Sequence, residues 1–219
     1  MQACALLLLK ENGQKNLKLR SKFIYLISPT KINQNFYYNL KKVLKTKKVR
    51  YFQLRLKNLS LSKIISIAKK IKKITKKYKV KLIINDNPYI AKKVLADGCH
   101  LGQSDISIKK AREIIKNKII GITCHNSLRL VKEAIKHNAD YIALGAFNHT
   151  RTKKIKFKAS LSDLKKIRKI TKKPIVVIGG INDKNYKKLM LNKADFLAIS
   201  SFIWKNKKLT PREAMDRIK

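Results

Sequence analysis

Eight short apolar runs recur along the chain, at residues 23–28, 51–56, 81–86, 98–102, 119–125, 141–147, 175–181 and 196–203. Between and after them lie stretches whose apolar residues fall at helical spacing, near 35–46, 60–78, 89–96, 107–117, 127–137, 161–171, 184–192 and 210–218. Strict alternation of strand and helix demands parallel strands joined by crossover helices. Eight such units in 219 residues predict an α/β fold, a closed (β/α)8 TIM barrel rather than an open doubly wound sheet. An internal repeat agrees. Ala96-Asp97, Ala139-Asp140 and Ala194-Asp195 each end a helical stretch and open an apolar run. Their aspartates read as ties at the turns from helix to strand. No Pro/Gly/Ser-rich linker divides the chain, so residues 1–219 read as a single barrel domain, with residues 1–21 a short N-terminal extension.

The apolar run at residues 5–9 is too short to cross a membrane. No basic residue precedes it and no small-residue cleavage site follows, so a signal peptide is not indicated. It reads as a short helix covering one end of the domain. Cys4, Cys99 and Cys124 fit neither a disulfide framework nor a paired metal-binding spacing. Cys99 and Cys124 fall in predicted strands and read as small buried hydrophobes. A reducing, cytoplasmic setting with no membrane partner is the expectation.

A formal charge of +42 invites a nucleic-acid reading, but its distribution argues otherwise. Lysine outnumbers arginine 45 to nine and coats nearly every predicted helix. In Ile67-Ala68-Lys69-Lys70-Ile71-Lys72-Lys73-Ile74, apolar residues form one face and lysine the other. A dedicated reader of nucleic acid concentrates charge in a patch and favours arginine for phosphate and base contacts. The excess therefore reads as a compositional bias towards lysine, with steering of anionic substrates as a second reading.

In such barrels the active site lies at the carboxyl ends of the strands. Polar residues collect there in this chain. The sixth run passes abruptly from apolar residues into Thr150-Arg151-Thr152-Lys153, whose hydroxyls and cations suit phosphate oxygens. Gln53, Arg55 and Lys57 end the second run, Asn85 and Asp86 the third, and Thr123 the fifth. Arg55 can bind phosphate bidentately, and Gln53 shares its strand face.

Acids number only twelve, so their placement is informative. Asp86 and Asp105 follow neighbouring strands and form a plausible Mg²⁺ pair, since that ion takes one or two carboxylates plus water and phosphate oxygens. The alternative is that both cap helices. Asp183 reads as the cap of the helix after the seventh strand. Gly179-Gly180 and Ser200-Ser201 follow the seventh and eighth strands, where these barrels often bind phosphate, with tight turns and small core residues as the alternative. Two anion sites, one with metal and one without, fit a reaction joining two phosphorylated molecules. No Cys–His or Ser–His pairing has the context of a nucleophilic triad. Of the histidines, His125 is the best candidate to line the site, and His137 reads as a surface helix residue.

In this order and spacing, Gln-Leu-Arg-Leu-Lys, Ile-Asn-Asp, Asp-Gly-x-His-Leu-Gly-Gln-x-Asp, Gly-x-Thr-x-His, Thr-x-Thr-Lys and Ile-Gly-Gly-Ile resemble the thiamine-phosphate synthase (thiamine-phosphate pyrophosphorylase) family over residues 23–205. The resemblance implies a (β/α)8 transferase. It would join 4-amino-2-methyl-5-hydroxymethylpyrimidine diphosphate to a thiazole phosphate, giving thiamine phosphate and pyrophosphate by a dissociative, Mg²⁺-assisted route. It implies Gln53 to Lys57, Asn85, Thr123 and Lys153 as contacts of the pyrimidine diphosphate, and Asp86 and Asp105 as Mg²⁺ ligands. Arg55, Lys57 and Lys153 would stabilise the departing pyrophosphate. Thr150, Arg151, Thr152, Gly180, Ser200 and Ser201 would hold the thiazole phosphate.

The sequence departs from the family pattern at Asn148-His149, where the family commonly has Phe-Pro, so a looser or reshaped loop is expected. Thr123 replaces a more usual serine and keeps the hydroxyl, and Ser200 replaces a more usual valine. The related thiazole tautomerase lacks the metal motifs and the full Thr-x-Thr-Lys loop. A non-catalytic, basic RNA-binding barrel would need neither aspartate. The expected partners are small phosphorylated molecules, and the sequence leaves a homo-oligomer open.

Overall fold

β-Branched and aromatic residues are abundant in most of the eight apolar runs, and each run forms a strand. The strands are Ile24–Ile27, Val49–Leu54, Lys81–Asn85, Gly98–Leu101, Ile119–His125, Tyr141–Gly145, Ile175–Ile178 and Phe196–Ile199. In the computed structural model, which describes residues 8–11, 14–17, 22–149 and 157–219, they pair in parallel in sequence order. The eighth strand closes on the first through Leu197↔Ile24, Ala198↔Tyr25 and Ile199↔Leu26. The result is the (β/α)8 barrel that the alternation predicts.

The helices begin where short polar side chains can cap them. Asn33, Ser60, Asn87, Ser107, Ser127, Ser160 and Thr210 each accept a hydrogen bond from the backbone N–H three residues on. Basic residues in the last turns favour the negative ends of the helix dipoles. Apolar faces of these helices pack on the outside of the barrel in one large core. A second, smaller cluster fills the barrel itself: Tyr25, Ile27, Tyr141, Ala143, Val176, Phe196 and Ala198, with Tyr51 against it. The aromatic rings meet in tilted and edge-on contacts, 5.5 Å between centroids for Tyr25–Tyr51 and 5.1 Å for Tyr51–Phe196. Gly121 makes room for the Tyr141 ring, since a Cβ there would lie 1.8 Å from Cζ of that tyrosine.

The repeated Ala-Asp turns share one device at the amino end of the barrel. The Asp97 carboxylate accepts from the Leu82 N–H at 2.8 Å and from Lys72 Nζ at 2.7 Å, while the Asp97 N–H donates to the Leu82 carbonyl. Asp140 repeats this with the Ile120 N–H and Arg112, both at 2.8 Å. Asp195 repeats it again with the Ile175 N–H and Arg168. Each carboxylate thus locks the start of the preceding strand, and each takes its cation from the helix that leads into that strand.

Two local expectations are corrected. Leu8–Glu11 and Gln14–Leu17 pair as an antiparallel hairpin, not as part of a short helix. The intervening sequence reads Asn-Gly, a dipeptide that favours tight hairpin turns and outweighs the brief apolar run. The eighth strand stops at Ile199, and Ser201–Trp204 turns into a short helix. That turn carries Trp204 back over the first strand, where its indole N–H donates to the Ile27 carbonyl at 2.7 Å.

Burial raises the Asp97 carboxyl, but hydrogen bonds from Lys72 and the Leu82 N–H outweigh it and hold the group below the usual carboxylate range. Its contribution to stability is therefore present at neutral pH and lost as pH falls through that lowered value. Asp97→Ala should destabilise the fold by about 2 kcal/mol at pH 7 in urea titrations. The gap from wild type should narrow when the titrations are repeated near pH 3.

Candidate active site

The third strand is followed directly by Asp86, whose φ of 64° lies in the left-handed region that Asp tolerates better than most residues. Its N–H donates to the His100 carbonyl at 2.7 Å, which fixes this corner against the fourth strand. The following helix is capped by Asn87, and the one after the fourth strand by Ser107. Neither Asp86 nor Asp105 is therefore occupied as a cap, which removes the alternative role. Asp105 folds back so that its carboxylate accepts from the Gly102 N–H at 2.6 Å.

The two carboxyls face one another across neighbouring loops. Burial, then the charge of Asp105 and a hydrogen bond shared with it, push Asp86 up to about 6, while Lys57 and Arg55 pull it down. Two carboxylates crowded together and flanked by two cations form an arrangement of hard oxygen ligands that suits a divalent cation. Among the described residues there is no group of three or more His, Cys, Asp or Glu side chains placed to hold a metal, so the pair stands alone.

Arg55 is half-buried and Lys57 exposed, both beyond the end of the second strand. The backbone of Arg55 is clamped by buried Ser28, which accepts from the Arg55 N–H at 3.0 Å and donates to its carbonyl at 3.3 Å. Ser28 also receives a hydrogen bond on its own carbonyl from the Ser200 hydroxyl at 3.1 Å. It therefore joins the ends of the first, second and eighth strands. Asn85 is half-buried and pairs in register with His100.

Gln53 is 3% exposed and points into the barrel, where its amide nitrogen donates to Tyr25 Oη at 3.2 Å. Tyr25 and Tyr141 share a hydroxyl–hydroxyl hydrogen bond of 2.7 Å. Tyr141 Oη lies 2.8 Å from His100 Nδ1, and His100 Nε2 lies 2.9 Å from Thr123 Oγ1. Burial lowers the His100 ring to about 4, so it is neutral at physiological pH. His125 instead stacks on Phe157 at 4.2 Å between centroids.

On the opposite side of the rim, Gly180 adopts φ +57°, and a Cβ there would approach the His149 carbonyl to 2.4 Å. Glycine is needed because the segment after the sixth strand lies directly on this turn. Asn148 secures it twice, with its backbone N–H at 3.2 Å and its side-chain amide at 3.1 Å from the Gly179 carbonyl. The expected looseness at Asn148-His149 is thus offset by a hydrogen bond that a phenylalanine at 148 would not supply. Backbone bonds from the Ala146 N–H to the Phe157 carbonyl (3.0 Å) and from the Ala159 N–H to the Ala146 carbonyl (2.9 Å) close the base of the loop. Thr150, Arg151, Thr152 and Lys153 lie outside the described residues. The Ser200 hydroxyl is taken by Ser28, and Ser201 opens the short helix after the eighth strand. Asp183 does not occupy the cap of the helix after the seventh strand. That position is Asn185, which turns back to donate to the Gly180 carbonyl at 2.9 Å.

Ser28, His100, Tyr25 and Tyr141 were not singled out in the sequence as site residues. A hydroxyl at the end of an apolar strand and polar tips on inward-facing strand positions are the signals that could have found them. Cys99 and Cys124 are buried and free, and burial pushes both thiols up to about 12.

The profile of a family described as thiamine monophosphate synthase matches residues 24–203. A thiamine-phosphate synthase of Pelagibacter ubique is 60% identical over 207 residues, covering 94% of this chain and 100% of that protein. One of Clostridium acetobutylicum is 39% identical, covering 85% of this chain and 89% of that protein. Among solved structures, a thiamine phosphate pyrophosphorylase from Pyrococcus furiosus superposes with a TM-score of 0.80 at 28% identity, covering 90% of this chain and 94% of that one. A 3-hexulose-6-phosphate synthase from Salmonella typhimurium, at 16% identity and TM-score 0.68, shares the fold alone.

Because the folded state raises the Asp86 pKa, it loses stability as pH rises from the ordinary carboxylate value through about 6. Asp86→Asn should therefore raise the melting temperature of the metal-free protein at pH 8. In melts at pH 4 that gain should disappear.

Proposed function

Because the chain belongs to the thiamine monophosphate synthase family, we propose that its pyrimidine diphosphate binds across the second to fifth strand ends and its thiazole phosphate across the sixth to eighth. The chain is a transferase of thiamine biosynthesis, making thiamine phosphate and releasing pyrophosphate. The observation that carries the site reading is the Asp86–Asp105 pair beside Arg55 and Lys57. Asp86, pushed up by burial and then by the charge of Asp105, is best relieved by a cation that also neutralises diphosphate oxygens. Asp86 and Asp105 would hold Mg²⁺, which when bound would offset charge on the leaving diphosphate.

The chain's own residues then supply charge and position, not a nucleophile. Arg55 offers a planar fork to the diphosphate from a backbone held by Ser28, and Lys57 adds a point charge. Lys153, by its place in the Thr-x-Thr-Lys motif, would reach the same group. As the bond from the pyrimidine methylene carbon to oxygen breaks, its electron pair leaves with pyrophosphate. The thiazole nitrogen then donates its lone pair to the resulting pyrimidine-stabilised cation. Gln53 and Asn85 border the pyrimidine, and Thr123 offers its hydroxyl to the diphosphate. The backbone at Gly180, Ser200 and Ser201, with Thr150, Arg151 and Thr152, would grip the thiazole phosphate.

The metal pair favours this reading over a tautomerase-like one, which needs no diphosphate chemistry. Lysine spread over nearly every helix supports small anionic substrates over a nucleic-acid partner. No described helix is long and apolar enough to cross a membrane, and a cytoplasmic enzyme fits the reading. Residues 1–21 are read as an extension of one barrel domain.

The direct test is an assay with both phosphorylated substrates. Pyrophosphate release should be coupled to thiamine phosphate, vanish when Mg²⁺ is chelated, and fall by roughly a hundredfold or more in Asp86→Ala. Turnover indifferent to Mg²⁺ would sink the metal assignment. Gly180→Ala should raise KM for the thiazole phosphate by about tenfold or more, with KM for the pyrimidine diphosphate little changed. An equal rise in both KM values would show that the turn serves the whole rim instead.

A further inference from the structure

The hydrogen bonds inside the barrel form one unbranched run: Gln53 to Tyr25, Tyr25 to Tyr141, Tyr141 to His100, and His100 to Thr123, at 3.2, 2.7, 2.8 and 2.9 Å. It begins on the second strand, crosses the interior through the first, sixth and fourth, and ends at the rim on the fifth. Tyr25 and Gln53 are essentially closed to solvent, whereas Thr123 is half-exposed at the strand end. A buried run of this kind tolerates only hydrogen arrangements in which every link has one donor and one acceptor.

The amide nitrogen of Gln53 can only donate. Tyr25 must therefore accept from Gln53 and spend its single O–H on Tyr141. Tyr141, already an acceptor, must spend its O–H on His100 Nδ1. A neutral ring that accepts at Nδ1 carries its hydrogen on Nε2 and donates it to Thr123 Oγ1. The threonine hydrogen is then left over, with no use inside the barrel. We propose that this run is a polarity-setting device: one buried amide orients every hydrogen along it, so that Thr123 meets the substrate as a hydrogen-bond donor.

The consequence matters for an anionic ligand. Had the run the opposite sense, Thr123 would give its hydrogen to His100 and turn lone pairs towards the diphosphate. Tyr25, Tyr141 and His100 are thus positioning residues, acting on the substrate only through Thr123. The inference rests on the reading that Thr123 faces the diphosphate. It goes beyond that reading by assigning the source of the hydroxyl's orientation.

Two measurements separate the parts. With four histidines in the chain, ¹⁵N NMR can assign the His100 ring by loss of its signals in His100→Asn. The wild type should carry hydrogen on Nε2 alone at neutral pH. Tyr25→Phe, which cuts the link to the amide, should give a mixture of the two neutral forms. A wild-type ring protonated on Nδ1, or a mixture before any substitution, overturns the proposal, and this result does not depend on any variant folding. The second measurement is calorimetric binding of inorganic pyrophosphate with Mg²⁺ to wild type, Thr123→Val, Tyr141→Phe and the double variant. Each single change should weaken binding by roughly tenfold, and the double variant should bind no worse than Thr123→Val. Fully additive losses would mean that Tyr141 acts structurally, and would overturn the proposal. Unchanged binding in Thr123→Val would instead remove the diphosphate contact itself, while the ring measurement alone would decide the polarity.

Discussion

Closure of the sheet on itself is the constraint from which the rest follows. Once Ile199 pairs with Leu26 and all eight strands run the same way, every strand must deliver its carboxyl end to one rim. Residues 27 to 172 positions apart in sequence then meet without any loop having to bring them together. Ser28 makes this concrete, since one hydroxyl and one carbonyl bind the backbone of Arg55 and the side chain of Ser200 at the seam. Charge placed by the second strand is thereby held in register with the turn after the eighth.

The scarce acids divide between the two ends of the barrel with opposite logic. At the amino end, Asp97, Asp140 and Asp195 each meet a cation and a backbone N–H, so their charges are satisfied by the fold. At the carboxyl end, Asp86 and Asp105 confront each other, and the fold leaves their repulsion standing. A pairing that disfavours the folded chain persists at the one place where a ligand can relieve it. Net charge hides this contrast, because the lysine coat dominates the total while contributing to neither arrangement beyond Lys72, Lys81 and Lys57.

The barrel was legible because periodicity is written redundantly: eight apolar runs, seven of their helices opened by a capping side chain, and the thrice-repeated Ala-Asp turn. The meeting of Asp86 and Asp105 was legible for a different reason, since two acids among so many lysines stand out. What could not be read was anything that depends on two strands meeting. Ser28 looks like the trailing residue of an apolar strand until Arg55 and Ser200 are placed against it. His100 sits inside a recognisable motif, yet its role arises from Tyr141 on a strand forty residues later. The short helix Ser201–Trp204 was hidden because Phe202 and Ile203 prolong an apolar run that already fits a strand. Asp183 was misread because the chain makes one further turn before its helix begins at Tyr186.

Gly121 has no side chain, and the ring of Tyr141 occupies the space where one would be. The hydrogen-bonded run through the barrel passes through that ring's hydroxyl. The two positions, on adjacent strands, are therefore one heritable unit. A descendant that enlarges residue 121 must shrink residue 141 in the same step, and in doing so breaks the connection between Gln53 and Thr123. Drift at the first position is closed unless the second has already changed, so their substitution histories should be correlated.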